Sequence, residues 1–207
     1  LDVIAALSDD WDRVMIVGAI VPELRPGFFD RLLVATDAED IEAVLVVNKV
    51  DLGGYALEDA REAIAPFAAL GYEVLEVSAR SGEGVERLRA HAAHGLSVFV
   101  GHSGVGKSSL LNLLKPGIQL LTGDVNAITS KGRHTTTVTT CHPLGAPWPE
   151  GALLVDTPGV RTFGLYGLEL VDLAYGFREL RPFRVDCHFR DCLHESEPGC
   201  AVIEAVD

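Results

Sequence analysis

The sequence predicts an α/β fold: a mostly parallel sheet with helices on both faces, followed by a small C-terminal metal-binding module. Three observations predict it. Short apolar runs rich in Val, Ile and Leu alternate with amphipathic stretches, the pattern of parallel strands buried on both faces. One run, Val98-Phe99-Val100, feeds Gly-x-x-x-x-Gly-Lys-Ser at 101–108 and then an apolar-rich helix, the strand–loop–helix setting of a phosphate-binding loop. Three of the four cysteines, Cys187, Cys192 and Cys200, fall within 14 residues, with His194 among them.

The 207 residues suffice for one α/β domain with a full core and a small appendage. Net charge is −13, with 18 Asp+Glu against 8 Lys+Arg in residues 1–96 and 12 against 9 in 97–207. Such a chain does not bind a polyphosphate backbone through its bulk field, so any RNA contact must be local. No apolar run approaches the ~20 residues that span a bilayer, and no basic start precedes an apolar signal core. The expectation is a cytoplasmic protein without a membrane partner, monomeric by default. The first residue is Leu1, from which the chain is expected to begin partway into a longer product.

Residues 1–12, with Asp2, Asp9, Asp10 and Asp12, read as a polar entry segment. Arg13 to Val21 is the first buried strand, ended by Pro22, and Phe28 to Ala38 has helical spacing with Phe29, Leu32 and Leu33 on one face. Ala43 to Val47 is the second strand, and it delivers Asn48-Lys49-Val50-Asp51 at its carboxyl end, where open α/β sheets present ligand contacts. Asp51 there accepts from guanine N1 and N2, an edge adenine does not offer; Asn48 buttresses the loop and the Lys49 stem lies along the base. Glu58 to Leu70 is an amphipathic helix stopped by Gly71, and Glu73 to Val77 is a strand that presents Ser78-Ala79-Arg80. This tripeptide resembles the Ser-Ala-Lys loop of GTPases, in which the Ala amide donates to guanine O6. Arg80 replaces the Lys without touching that amide. Val85 to His94 is the next helix.

In the phosphate loop, Gly101, His102, Ser103, Gly104, Val105 and Gly106 turn the backbone tightly and aim its amides at phosphate oxygens. Lys107 reaches the β- and γ-phosphates, Ser108 ligates Mg²⁺ and Ser109 continues the first helical turn. After Pro116-Gly117 a long stretch of weak periodicity contains Ser130 to Thr137, in the place of a first switch. A threonine there would complete the Mg²⁺ shell; Thr136 is the candidate, with Thr135 and Thr137 left open. The other reading is a β-prone approach to a strand over Val138–His142. Ala152 to Val155 is another buried strand, running into Asp156-Thr157-Pro158-Gly159. That matches Asp-x-x-Gly, whose Asp156 holds Mg²⁺ through water and whose Gly159 amide reads the γ-phosphate.

The order of these elements is unusual. The guanine-reading loops at 48–51 and 78–80 precede the phosphate loop, so the chain reads as a circularly permuted P-loop GTPase domain over 13–180, with GTP/GDP and Mg²⁺ as cofactors. Permutation preserves the spatial site when the old termini lie close together. Beyond it, Cys187-x4-Cys192-x-His194-x5-Cys200 supplies a Cys₃His set suited to structural Zn²⁺, in a module over 181–207. Cys141 and His142 read as a strand-borne pair without a metal role.

With these residues in view, the chain resembles the ribosome small-subunit-dependent GTPases of the RsgA/YjeQ family. The resemblance rests on the permuted order, on Gly-His-Ser-Gly-Val-Gly-Lys-Ser (101–108), Lys-Gly-Arg-His-Thr-Thr (131–136) and Asp-Thr-Pro-Gly-Val-Arg (156–161), and on the Cys₃His spacing. It implies a GTP hydrolase acting late in maturation of the small (30S) ribosomal subunit and stimulated by it, with rRNA docking aided by an N-terminal OB-fold that lies outside this sequence. Where many GTPases carry a water-orienting Gln, this chain has Val160, so unaided turnover is expected to be slow. His134 is the candidate for placing the water, the other reading being a solvent-exposed or structural histidine, beside supporting roles for Lys107 and Asp156. Arg133 and Arg161 are candidate RNA phosphate contacts, with a solvated surface arginine the reading for either one taken singly. The alternative is a nucleotide-gated binding module in which hydrolysis is not the main output.

Overall fold

The computed structural model describes residues 11–116, 118, 139–157 and 170–206. Among these residues the strands and helices follow one another as β1 (Arg13–Ala19), α1 (Pro26–Ala38), β2 (Glu42–Asn48), α2 (Gly54–Ala69), β3 (Glu73–Glu76), α3 (Val85–His91), β4 (Leu96–Gly101), α4 (Lys107–Leu114), β5 (Thr140–Pro143), β6 (Leu153–Asp156), α5 (Leu170–Gly176), α6 (Arg181–Arg184) and α7 (Ala201–Val206). The sheet order is β3-β2-β1-β4-β6-β5. Every pairing described is parallel except the edge pair β5–β6.

The apolar runs form strands because both faces of the sheet are covered. On β1, Val14 and Ile16 pack with α1 and α2, while Met15 and Val17 face α3 and α4, the period-2 alternation of a strand. All four are fully buried. Pro26 opens α1 at its first turn, where its missing N–H costs nothing. Gly71, at φ +84°, takes the left-handed turn after α2. Among the described residues, no helix is long and apolar enough to cross a membrane.

Several boundaries differ from the sequence reading. β1 stops at Ala19 rather than Val21, because β2 ends at Asn48 and the chain then turns through Lys49 at φ +66°, leaving Val21 beyond the last strand pairing. α2 starts at Gly54 rather than Glu58. Its first turn presents Tyr55 to solvent at 85% exposure, while Ala56 and Leu57 are only partly buried at the core edge. α3 ends at His91, and the edge strand runs over Thr140–Pro143, with Val138 outside the described residues.

After β6 the chain returns at α5, which packs on α1. The segment that follows is anchored by one buried carboxylate. Arg178 forks onto Asp37 through Nε and Nη2 at 2.7 and 2.9 Å, Arg181 donates to it at 2.9 Å, and Tyr72 Oη donates at 2.9 Å. The Arg178 guanidinium also lies 3.7 Å over the Tyr72 ring. Gly176 meets α1 closely enough that a Cβ would sit 2.6 Å from Val34 O.

Candidate functional site

Parallel strands place their carboxyl ends on one edge, and the motif residues of β2, β3, β4 and β6 gather there. The tightest link is Asn48, 1% exposed. Its Nδ2 donates to Val105 O at 2.9 Å, and its Oδ1 accepts from Lys49 N at 2.8 Å and Ala79 N at 3.1 Å. One carboxamide thus fastens the 101–108 loop to the loops that follow β2 and β3. Gly106, at φ +96°, lies under this carboxamide, where a Cβ would collide with Asn48 Nδ2.

A cavity of about 280 Å³ opens beside it, lined by Lys49, Asp51, Leu52, Ala79, Arg80 and Ser109 among others. Ser78 Oγ donates to Asp51 Oδ1 at 2.6 Å and accepts from Arg80 N and Ser81 N at 3.2 and 3.0 Å, which fixes the carboxylate at the pocket wall. An ionised carboxylate has further lone pairs to offer a base edge. The Lys49 ammonium donates to Val21 O at 2.6 Å and Gly104 O at 2.7 Å, which ties down a side chain that lines the cavity. Burial lowers its pKa, with Asp51 opposing. The Ala79 amide already donates to Asn48, so a base carbonyl would have to share or replace that bond.

In the 101–108 loop, Gly101 passes so close to Val17 O that a Cβ would clash, and the loop then turns into α4. Lys107 Nζ donates to Gly101 O at 2.8 Å and His102 O at 3.3 Å. Burial pulls its pKa down to about 8, against the raising effect of Asp156. Asp156 is fully buried at the end of β6, and the next residue, Thr157, is pinned by Oγ1 to Phe99 O at 2.7 Å. Ser108 sits in the first turn of α4. A buried carboxylate within electrostatic range of this lysine and a hydroxyl in the first turn of the neighbouring helix are oxygen donors of the kind that suit a hard divalent cation such as Mg²⁺. His102 stacks against Phe28 with ring centroids 4.2 Å apart, and Ser103 is exposed.

Cys187, Cys192, His194 and Cys200 bring their ligand atoms within 4.8 Å of one another. Cys187 Sγ lies 3.7 Å from His194 Nδ1 and 4.0 Å from Cys200 Sγ, and His194 Nδ1 lies 3.3 Å from Cys200 Sγ. Tetrahedral Zn²⁺ with Zn–S of ~2.3 Å needs S···S edges of about 3.8 Å, so the cluster fits it. The turn between ligands is held by Glu197, which accepts from Leu193, Glu195 and Ser196 amides at 2.9 to 3.0 Å; these bonds hold its carboxyl at about 2. Cys141 is exposed, and His142 Nε2 contacts Thr140 Oγ1 at 2.9 Å, apart from this cluster.

His134, Thr135, Thr136, Thr137, Arg133, Gly159, Val160 and Arg161 lie outside the described residues. Sequence reasoning missed the Asp37 anchor and Leu52 in the cavity wall. Asp37 carried a signal, since it continues the Phe29, Leu33 stripe of α1 at helical spacing, and a carboxylate on a core stripe needs a partner.

Comparison with known proteins places this geometry. The family model for the RsgA GTPase matches residues 4–166. A small ribosomal subunit biogenesis GTPase RsgA of Actinobacillus pleuropneumoniae is 42% identical over all 207 residues, which cover 59% of that protein. Its counterpart in Mannheimia succiniciproducens is 41% identical, with 58% covered. The chain thus spans somewhat under three fifths of the length of these curated relatives. The crystal structure of YjeQ from Thermotoga maritima superposes with a TM-score of 0.73 at 33% identity, covering 95% of this chain and 64% of that one. YloQ, described as a circularly permuted GTPase, gives 0.69 at 30% identity, covering 95% and 61%.

Proposed function

This chain belongs to the RsgA GTPase family, and on that premise we propose that it binds GTP and hydrolyses it to GDP and phosphate as a late assembly factor of the small ribosomal subunit. It turns over slowly alone and faster on the subunit, as a monomer in the cytoplasm, with rRNA phosphates meeting Arg133 and Arg161. The observation that carries this reading is the convergence of the base pocket, phosphate loop and Asp156 on one sheet edge despite their permuted order along the chain.

In this scheme Asp51 reads guanine N1 and N2, Ala79 faces O6, and the Lys49 stem covers the base. The loop amides from Gly101 to Ser109 and the α4 N-terminus hold the phosphates. Lys107 neutralises charge developing on the β- and γ-oxygens as the γ-phosphoryl passes to water and GDP leaves. Mg²⁺ would be held by Ser108, by Asp156 through water and by Thr136, and supplies charge neutralisation when bound. Gly159 reads the γ-phosphate. His134 orients the attacking water, since Val160 has no polar side-chain atom. Zn²⁺ at the Cys₃His cluster is structural, because all four ligand positions come from protein and none is left for substrate.

The test is GTP turnover with and without purified small subunits, for the wild type and His134→Ala. Stimulation by the subunit that His134→Ala removes is the expected result; unstimulated turnover with intact GTP and GDP binding would favour the second reading. That reading is a nucleotide-gated binding module, and Val160 is the residue that favours it.

A further inference from the structure

Away from the nucleotide loops, α1 and α2 leave a groove of about 390 Å³ between them. Leu33, Val34, Phe67 and Leu70 give it an apolar floor, and Gly176-Phe177 forms its far wall. Its rim carries Asp30, Glu62 and Glu179, and among the described residues no basic side chain lines it. The carboxyl of Asp30 is raised above its ordinary value by burial and by the nearby charge of Glu179, with Arg31 only partly offsetting them. Apolar floor and acidic rim together call for an occupant that is apolar at one point and cationic beside it.

We propose that this groove docks a basic polypeptide segment, with one leucine-sized or aromatic side chain on the Leu33–Phe67 floor and flanking Lys or Arg groups against Asp30, Glu62 and Glu179. Charge complementarity commits it to a polypeptide of this kind. A nucleic acid or an anionic lipid surface would bring phosphates to a carboxylate rim and be repelled. The groove is also built from both halves of the chain. Its floor belongs to the nucleotide domain, and its far wall runs directly into Arg178 and Arg181, which grip Asp37. A bound segment would therefore touch the sheet domain and the arm leading to the Cys₃His module at once.

The test is selection of a displayed random heptapeptide library on the full chain, followed by affinity measurement of the selected peptides at low and high salt. The expected peptides carry Lys or Arg next to Leu, Phe or Trp and bind more weakly as salt rises. Asp30→Asn with Glu179→Gln should weaken them about tenfold, and Ala63→Trp, which fills the groove, should abolish binding. GDP affinity serves as the folding control and should be unchanged in both variants. Enrichment of acidic or uncharged peptides, no enrichment, or equal binding to both variants would overturn the proposal. So would concentration-dependent self-association dissolved by Ala63→Trp, which would make the occupant a second copy of the chain.

Discussion

Replacing Asn48 with Ala tests how the two halves of the site are joined. The change removes one donor and one doubly used acceptor, leaving Val105 O, Lys49 N and Ala79 N without the partners they hold at 2.9, 2.8 and 3.1 Å. At about 1 kcal/mol net for each hydrogen bond, the loss should be about 3 kcal/mol. For a domain of this size that corresponds to a Tm lowered by roughly 6–12 °C. Urea unfolding followed by tryptophan fluorescence reads it directly. Asn48→Asp is the discriminating control: it keeps both acceptor bonds, yet sets a buried carboxylate oxygen against Val105 O where a donor stood. It should destabilise at least as much as Ala despite its near-identical shape. A loss below about 1 kcal/mol for Asn48→Ala, or a harmless Asn48→Asp, would refute this account of the junction.

Lys107 gives a pH signature. Its folded pKa of about 8 lies below the ordinary 10.5, so between these values the unfolded chain binds more protons than the folded one. Stability without nucleotide should therefore rise as pH climbs from about 8, by up to about 1.4 kcal/mol per pH unit, with the full penalty standing below pH 8. The difference curve against Lys107→Met isolates this contribution, and a flat difference would contradict it. Asp37→Ala removes the acceptor of four donor contacts; with Arg178 and Arg181 about one third exposed, the cost should sit near the low end for a broken buried pair, about 3 kcal/mol. Hydrogen exchange should then quicken in 170–184, and unchanged protection there would show that Asp37 is not the anchor. Plasma emission should find one Zn²⁺ per chain, and Cys200→Ser should lower that occupancy and loosen α6 and α7; full retention of the metal would exclude Cys200 as a ligand.

What the sequence made legible was what it stores locally. β1, β2 and β4 are apolar runs whose composition alone demands burial on both faces, and the phosphate loop and the Cys₃His set are spacings within 14 residues or fewer. The meeting of the 48–51 and 78–80 loops beside one cavity was legible because each follows a strand, and parallel strands deliver their ends to one edge. Asp37's need for a partner showed in its place on the α1 stripe, but the partners did not, because its arginines lie 141 and 144 residues away and nothing local names them. Nor did the competing bond at Ala79, since an amide's partner depends on where Asn48 points after folding. The early start of α2 escaped because its first turn opens on Gly54 and the solvent-exposed Tyr55, and only Ala56 and Leu57 reach the core edge.

The central claim is that these residues form a guanine nucleotide site, and Asp51→Asn tests it most directly. Competition binding with GDP, ADP and the xanthine diphosphate should show wild type preferring GDP over both. The variant should lose GDP affinity and gain the xanthine nucleotide, because a carboxamide in place of the carboxylate can donate to the xanthine 2-oxo group and gives up one of the two acceptors that read guanine N1 and N2. An unchanged preference for GDP in Asp51→Asn, or equal affinity of wild type for ADP, would contradict the assignment.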